Sequence, residues 1–319
     1  MCSTHPARKA RCVIPLALVC VASGHPGTWT TAARLPEPLL DTHAAVLAEK
    51  IYVAGGLDAQ GHPTSHAYRY DPAIDRWGRI ADLPEPRHGM PLVVFRDTLF
   101  ALGGFSGREV HAVRTMWAYQ PDRNAWEARP DLPSPRGAGA AVVVDDFVVV
   151  FGGLQRFADG GLVAPCGVYE PMVHAWHEVW PLPTLRDHLT AQTVDGIVYV
   201  IGGRLLAADQ NYDVVEAYHP RLFTGGRWSG RGPMPAPVGD LASAVLDRKI
   251  HTFGGETPTA VLDTHGVYDP ARDSWSDGSP LPTPRHGAAV ASVGGRIFVI
   301  GGGPRPGISA TDVVEVFAP

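Results

Sequence analysis

Four arginines occupy one position of a repeating sequence pattern, where together they could bind an acidic group. The pattern is marked by pairs of consecutive glycines, and the residue sixteen positions before each pair is, in chain order, Leu39, Arg87, Arg136, Arg186, Val238 and Arg285. A guanidinium group binds a carboxylate through two parallel hydrogen bonds and keeps its charge at neutral pH. The two apolar residues interrupt the series, which would give a binding pocket one cationic side and one apolar side.

A structural role would explain the same arginines. Residues that recur in repeat proteins mostly support packing within and between the repeats. Glu216 and Glu315, on predicted neighbouring strands, and free loop carbonyls are candidate partners for the guanidinium groups. The sequence leaves both interpretations open.

Polar side chains also occur just after the arginine position, where glycine or alanine is the ordinary residue. The set comprises Asp41, His43, His88, Asp187, His188, Asp240 and His286. Histidine titrates near neutrality and can serve as an acid or a base, although a histidine in a turn is more often simply solvated. Arg204 and Glu256 directly follow consecutive glycine pairs, and we interpret them as a salt bridge in preference to a catalytic acid–base couple.

The elements that must position these residues are short strands. The stretch from Leu281 to Gly302 contains a proline-rich turn, a small apolar segment, a Gly294-Gly295 turn and a β-branched segment that ends in a glycine pair. Proline fixes φ and disfavours helix at the preceding residue, whereas β-branched and aromatic residues favour strands. The stretch therefore predicts two strands joined by a tight turn.

This unit recurs six times along the chain. The glycine pairs begin at residues 55, 103, 152, 202, 254 and 301, and the first five are followed by a Tyr-x-Pro motif and then by Trp77, Trp126, Trp176, Trp228 and Trp275. A period near fifty residues with these marks resembles the kelch repeat, whose copies form the blades of a β-propeller. The resemblance covers roughly residues 28–319.

The resemblance implies an all-β fold, with a six-bladed β-propeller as a single domain over residues 25–319. The last repeat ends after a third strand, whereas Trp29 lies 48 residues before Trp77, in register with the other tryptophans. We therefore predict that the N-terminal strand pairs with the three C-terminal strands of blade six, which closes the ring and hides two strand edges. The loops after the glycine pairs are long and varied, so we expect binding on the face that they share.

In some kelch proteins, arginines at this position line a pocket for acidic ligands. The resemblance therefore implies ligand-binding candidates at the mouth of the central channel, namely Arg87, Arg136, Arg186 and Arg285, with Arg204 on the same rim. We predict a binding module, without enzymatic activity, that recognises a protein partner or a small acidic ligand. Fold alone limits function only loosely, and the sequence contains no recognised catalytic constellation.

An isomerase is the alternative. The chain is similar in size and repeat number to bacterial sialic-acid mutarotases, which would act on an acidic sugar such as N-acetylneuraminate. Under that alternative the arginines would hold the sugar carboxylate, and Glu256, His88 and His188 would be the acid–base candidates.

Composition and motifs exclude several other classes. The net charge of −5 and the pI near 6.3 give no basic excess for nucleic acid. Dinucleotide, phosphate-loop, zinc-protease and EF-hand motifs are absent from the sequence, so we predict neither a cofactor nor a metal. We expect a monomer. We also expect no membrane span beyond the N-terminus, because no later apolar run is long enough.

The first residues predict export. Arg8, Lys9 and Arg11 precede an apolar run that ends in small residues, so residues 1–24 resemble a secretory signal peptide. The expected destination is the periplasm or the medium, and a cytoplasmic protein with a disordered leader is the alternative. Cleavage would leave Cys166 as the single cysteine, which excludes an internal disulfide.

Overall fold

The computed structural model describes Met1 and residues 27–107, 111–155, 161–163, 165–220 and 226–319. The predicted signal peptide, apart from Met1, lies outside the described residues. In the described part of the chain, no helix has the length and apolar character that crossing a membrane requires.

Six four-stranded antiparallel sheets form the blades. The chain begins with β1 (Thr28–Thr31), which belongs to blade 6. Blade 1 contains β2 (His43–Leu47), β3 (Lys50–Ala54), β4 (Ala67–Asp71) and β5 (Arg76–Arg79). Blade 2 contains β6 (Leu92–Phe95) and β7 (Thr98–Leu102), then a small hairpin of β8 (Phe105–Ser106) and β9 (His111–Ala112), then β10 (Met116–Gln120) and β11 (Ala125–Arg129).

The remaining blades repeat the same order. Blade 3 contains β12 (Ala140–Val144), β13 (Phe147–Phe151), β14 (Cys166–Glu170) and β15 (Ala175–Val179). Blade 4 contains β16 (Thr190–Val194), β17 (Ile197–Ile201), β18 (Val215–His219) and β19 (Arg227–Gly230). Blade 5 contains β20 (Ala242–Leu246), β21 (Lys249–Phe253), β22 (His265–Asp269) and β23 (Ser274–Asp277), and blade 6 contains β24 (Ala289–Val293), β25 (Arg296–Ile300) and β26 (Val314–Ala318) with β1.

The ring closes as predicted. Strand β1 pairs antiparallel with β26, with Trp29 opposite Phe317, so the two ends of the chain share one blade. The innermost strands contact one another in a complete cycle, in the order β2, β6, β12, β16, β20, β24 and back to β2. These contacts confirm the six-bladed propeller and its closure by the N-terminal strand.

The glycine pairs join each blade to the next through the backbone. Gly56 donates its N–H to the carbonyl of Arg87 at 2.7 Å, and Gly302 donates to Leu39 at 2.8 Å across the closure. Gly55 has a φ of +68°, and a Cβ on it would lie 2.5 Å from the carbonyl oxygen of Arg87. Glycine is required there because a side chain would clash with the neighbouring blade.

The blade tryptophans provide a second connection. Each indole N–H donates to a backbone carbonyl of the preceding blade in five cases: Trp29 to Ser279 (2.9 Å), Trp77 to Ala33 (2.8 Å), Trp126 to Ala81 (2.8 Å), Trp176 to Pro130 (3.0 Å) and Trp275 to Gly232 (3.1 Å). Trp228 of blade 4 differs, because its Nε1 is buried and has no hydrogen-bond partner.

Apolar residues between adjacent blades form the core. Ile51 and Val53 of blade 1 pack with Phe298 and Ile300 of blade 6, and similar clusters lie at the other blade interfaces. Hydrophobic burial thus holds the blades together around a central channel. The loops that lead into the first strand of each blade form the polar mouth of this channel.

Candidate functional site

The four arginines at the matched position are buried inside the blades. Arg186 is fully buried, and its guanidinium binds Glu216 at 2.5 Å and the carbonyls of Gly202 and Thr184 at 2.7 and 2.8 Å. Arg285 makes the equivalent contacts with Glu315 and with the carbonyls of Gly301 and Val313, both at 3.1 Å. The carboxylates named from the sequence as candidate structural partners therefore bind two of the four arginines.

The other two arginines use different internal partners. The guanidinium of Arg87 lies 5.0 Å from the centre of the Trp117 ring, in a cation–π contact, and donates to the carbonyl of Pro86 at 2.8 Å. Arg136 donates to the carbonyls of Pro165 and Gly152 at 2.8 and 3.2 Å. Burial lowers the pKa of Arg136 to about 10, so its side chain stays charged at neutral pH.

The third strand supplies a partner for three of the four arginines. The residue two positions before the paired Tyr or Phe of that strand is Glu216 in blade 4, Glu315 in blade 6 and Trp117 in blade 2, and each of these contacts the arginine of its own blade. In blade 1 the same position is Tyr68, which packs in one apolar cluster with Leu39. In blades 3 and 5 the same position is glycine, Gly167 in the blade of Arg136 and Gly266 in the blade of Val238, so the third strand alone does not determine which residue occupies the arginine position. The buried partners of the four arginines nevertheless favour the structural interpretation. Ligand binding by these arginines stays a prediction.

A ring of six residues with left-handed backbone surrounds the channel mouth. The ring consists of Asp41, Gly89, Ala138, His188, Asp240 and Gly287, with φ between 48° and 58°. Five backbone hydrogen bonds join neighbours, from Gly89 to Asp41, Ala138 to Gly89, His188 to Ala138, Asp240 to His188 and Gly287 to Asp240, at 2.7–3.1 Å. We call these six residues the mouth ring.

Three members of the mouth ring carry polar side chains at some cost in stability. Glycine adopts this conformation freely, whereas a residue with a Cβ pays roughly 1–2 kcal/mol, and somewhat less for Asp. Asp41, His188 and Asp240 adopt this conformation despite its cost, although Gly89 and Gly287 show that glycine can occupy the equivalent position. Polar residues held in this region often have a functional role.

The mouth ring encloses a cavity of about 40 Å³, which Asp41, Thr42, His43, His188 and Asp240 help to line. Thr42 is 1% exposed, and its Oγ1 and the Nδ1 of His43 are buried without hydrogen-bond partners. Burial lowers the pKa of His43, so its ring is neutral at pH 7. The channel then widens to cavities of about 110 Å³ and 350 Å³ towards the opposite face.

Sequence reasoning missed Thr42. The matching residues of the other blades are Met90, Gly139, Leu189, Leu241 and Ala288, so the position is otherwise apolar or small. A polar residue at an apolar position of the repeat was the signal that could have identified it.

A charged network supports the mouth ring behind blades 4 to 6. Asp240 accepts a hydrogen bond of 2.7 Å from Nδ1 of His286, while Nε2 of His286 faces the carbonyls of Arg305 and Gly307 at 3.2 and 3.1 Å. Because both ring nitrogens face acceptors, His286 is doubly protonated. Burial alone would lower its pKa, but the hydrogen bond and charge of Asp240 raise the pKa of His286 to about 9.

Arg204 and Glu256 form the predicted salt bridge. Their closest atoms, Nη1 and Oε1, are 2.5 Å apart, and the Nε of Arg204 lies 3.7 Å from Asp187. Burial opposes the charge of Arg204, but Asp240, Glu256 and Asp187 together raise its pKa. Asp187 is fully buried and also binds the Nδ1 of His188. The pairing confirms the interpretation of Arg204 and Glu256 as an ion pair.

The remaining predicted residue, His88, lies beside the mouth ring. Its Nδ1 is 3.4 Å from the Asp41 carboxylate, and its ring packs against Phe105. Phe105, Ala138 and Leu154 form an apolar cluster on blades 2 and 3. The mouth therefore has a polar side and an apolar side, built from residues other than the repeated arginines.

A metal site at this network has little chemical support. Ligand atoms of Asp240, Glu256 and His286 lie within 4.8 Å of one another. Nδ1 of His286, the ring nitrogen nearest the two carboxylates, lies 2.7 Å from Asp240, so a metal would have to displace the proton that joins them. Absence of a metal stays a prediction.

Comparisons with known proteins agree with the repeat architecture. A sequence model described as the KLHDC2/KLHL20/DRC7 Kelch-repeats domain matches residues 20–181, and a model of the Kelch motif matches residues 284–318. Kelch-like protein terF of Aspergillus terreus is 29% identical over 304 residues, which cover 92% of this chain and 56% of that protein. Human Kelch repeat and BTB domain-containing protein 13 is 38% identical over 74 residues, which cover 23% of this chain and 16% of that protein.

The alignments span about half or less of these curated relatives. Among solved structures, that of YjhT superposes with a TM-score of 0.77 at 15% identity, covering 89% of this chain and 96% of YjhT. At this identity the likeness concerns the fold alone. A family model that matches more than half of the chain and a closed ring of six four-stranded blades lead to the same conclusion: the chain belongs to the kelch-repeat family.

Proposed function

We propose that this chain is a protein-binding module whose partner contacts the loop face around the mouth ring. Kelch propellers are protein-interaction modules in general, which supports the class of function. The observation that carries the choice of face is the mouth ring itself. Asp41, His188 and Asp240 hold polar side chains in a backbone conformation for which the fold needs only glycine or alanine.

One exposed apolar side chain lies on the same face. Ile308, in the loop after the last glycine pair, is 68% exposed. It also lies against the loop of blade 1, because a Cβ added to Gly61 would come within 2.9 Å of its Cγ2. This side chain is one apolar contact that a protein partner could make, although Ile74 on the opposite face is exposed to the same extent, at 67%.

The acidic-ligand and mutarotase alternatives receive less support from the geometry. They need a guanidinium that can bind a carboxylate, whereas Arg87, Arg136, Arg186 and Arg285 are buried with internal partners and Arg204 is paired with Glu256. The 40 Å³ cavity among the acid–base candidates is also far smaller than the roughly 300 Å³ or more of an ordinary small-molecule pocket. A sugar would therefore have to bind above the ring.

Site-specific photo-crosslinking tests the proposal. A photoreactive amino acid is placed at Gln60 or Ile308 on the loop face and, as matched controls, at Ile74 or Asp146 on the opposite face; all four positions are exposed. Incubation with an extract of the source cells should give a discrete cross-linked protein from the loop-face positions only. Equal cross-linking from both faces, or cross-linking from the opposite face alone, would refute the assignment of the binding face.

A further inference from the structure

We propose that the cavity inside the mouth ring binds a primary ammonium group, which the protein partner presents as a lysine side chain. The volume of about 40 Å³ has room for about one group the size of a water molecule. The side chains of Asp41 and Asp240, which line it, keep exposed fractions of 19% and 13%, so a group that arrives from solvent can reach both. The identity of the partner rests on the proposed function, whereas the ammonium site can be tested separately.

The charges around the cavity favour a cation. Among the described residues of the mouth and its supporting network there are four carboxylates, and they lie near the cationic Arg204 and His286 and near the imidazoles of His88 and His188, which contact Asp41 and Asp187: the carboxylates are those of Asp41, Asp187, Asp240 and Glu256. His43 contributes no positive charge at neutral pH, because burial disfavours its protonated form. A cation in the cavity would be attracted to the carboxylates of Asp41 and Asp240, which line it.

Two unpartnered side-chain atoms favour an N–H donor over a metal ion, with His43 in the tautomer that carries its proton on Nε2. Thr42 Oγ1 and His43 Nδ1 are buried without partners, and both residues line the cavity. Buried polar atoms without partners are rare in folded proteins and often indicate a missing ligand or water. A lysine ammonium carries three donors, enough for a carboxylate, a hydroxyl and an imidazole nitrogen. Hard cations prefer oxygen ligands alone, and the lysine ammonium is more compact than the planar guanidinium of arginine.

Blade 1 builds this site by departing from the repeat. It places three consecutive polar residues, Asp41, Thr42 and His43, at the entry to its first strand. The corresponding triplets of the other blades are Gly-Met-Pro, Ala-Gly-Ala, His-Leu-Thr, Asp-Leu-Ala and Gly-Ala-Ala. A residue needed for propeller packing should recur in every blade, so a triplet confined to one blade points to a ligand.

Histidine NMR tests the ammonium site without a partner. The protein is labelled at the histidine Cε1 carbons, the His43 signal is assigned with a His43→Gln variant, and Nα-acetyl-lysine methylamide is titrated. The His43 signal should shift saturably with this compound, but not with its Nε-acetylated analogue or with Nα-acetyl-arginine methylamide. Asp41→Asn and Thr42→Val should each weaken the binding severalfold. The other histidine signals report whether the variants remain folded.

Two results would overturn the ammonium site: a His43 signal that the lysine compound leaves unmoved, or one that the acetylated analogue moves equally. In that case the cavity holds water only. The partner's lysine is tested by acetylating the extract before photo-crosslinking, which should abolish the cross-link from Ile308. Persistence of the cross-link after acetylation and in Asp41→Asn would refute the lysine while leaving protein binding intact. Binding of the lysine compound without any cross-link would instead refute the proposed partner.

Discussion

Individual arginines stabilise the blades through buried ion pairs, so their removal should affect stability before it affects binding. Arg186→Met would leave the 8%-exposed side chain of Glu216 without its 2.5 Å partner. An unpaired buried carboxylate costs about 3–5 kcal/mol. We therefore expect the free energy of unfolding in urea to fall by about that amount.

Two comparisons make the Arg186 prediction specific. The double variant Arg186→Met with Glu216→Leu should recover much of the lost stability, because no buried charge remains unpaired. Arg87→Met should cost less than Arg186→Met, because its carboxylate partner, Glu85, is 60% exposed and can be solvated. If Arg186→Met leaves stability unchanged and instead abolishes binding of an acidic ligand, the structural interpretation is wrong.

At the interface between blades 3 and 4, the blade tryptophan makes no hydrogen bond to the preceding blade. There the Nε1 of Trp228 has no partner, Trp180 is 61% exposed, and a cavity of about 680 Å³ is lined by residues such as Val149, Val168 and Tyr218. At the equivalent interface between blades 1 and 2, Trp126 donates to the carbonyl of Ala81 at 2.8 Å. The interface between blades 3 and 4 is therefore expected to be the less tightly joined of the two.

Matched tryptophan variants test this difference. Trp126→Phe removes a hydrogen bond together with part of an aromatic ring, whereas Trp228→Phe removes a similar part of a ring and an N–H that is already unsatisfied. The loss of unfolding free energy should be about 1 kcal/mol larger for Trp126→Phe. Equal losses from the two variants, measured by urea unfolding, would contradict a missing bond at Trp228.

The repeat made the strands and their closure predictable from the sequence. The glycine pairs and five of the six blade tryptophans mark backbone contacts between adjacent blades, and Trp29 in the same register located the strand that completes blade 6. The mouth ring was harder to predict. Its residues were named from the sequence, but the left-handed backbone of Asp41, His188 and Asp240 arises from hydrogen bonds between blades, which spacing along one strand does not reveal.

The positions of the arginines were predictable from the repeat, but their role was not. Their interruption at Leu39 and Val238 was interpreted as the asymmetry of a pocket, and ligand binding stays a prediction, but the structure shows partners within the chain for all four arginines, such as Glu216 on the third strand beside Arg186. That partner is about thirty residues away in sequence. A pattern read at one position could therefore locate the arginines but not decide their role.

At the scale of the whole molecule, two buried histidines should give the propeller a stability maximum near pH 6.5. His286, with a pKa raised to about 9 from an ordinary 6.5, binds its proton more tightly when folded. Its stabilisation is therefore complete below pH 6.5 and is lost as the pH rises to about 9. His251 is the reverse case, because burial and the neighbouring His265 lower its pKa to about 4, so the folded state resists a proton that the unfolded chain accepts. Stability is lost as the pH falls from 6.5 to about 4.

A plot of the free energy of unfolding against pH should have an alkaline limb above pH 6.5, caused by His286, and an acid limb below pH 6.5, caused by His251. One proton taken up or released on unfolding changes the free energy of unfolding by up to about 1.4 kcal/mol per pH unit. In urea titrations between pH 4 and pH 9, His286→Gln should flatten the alkaline limb only, because glutamine does not ionise. His251→Phe should flatten the acid limb only, and phenylalanine suits the site because Phe100 and Phe298 occupy the equivalent strand position. If either variant alters both limbs equally, the pH dependence arises from the charge of the whole molecule and not from these two buried rings.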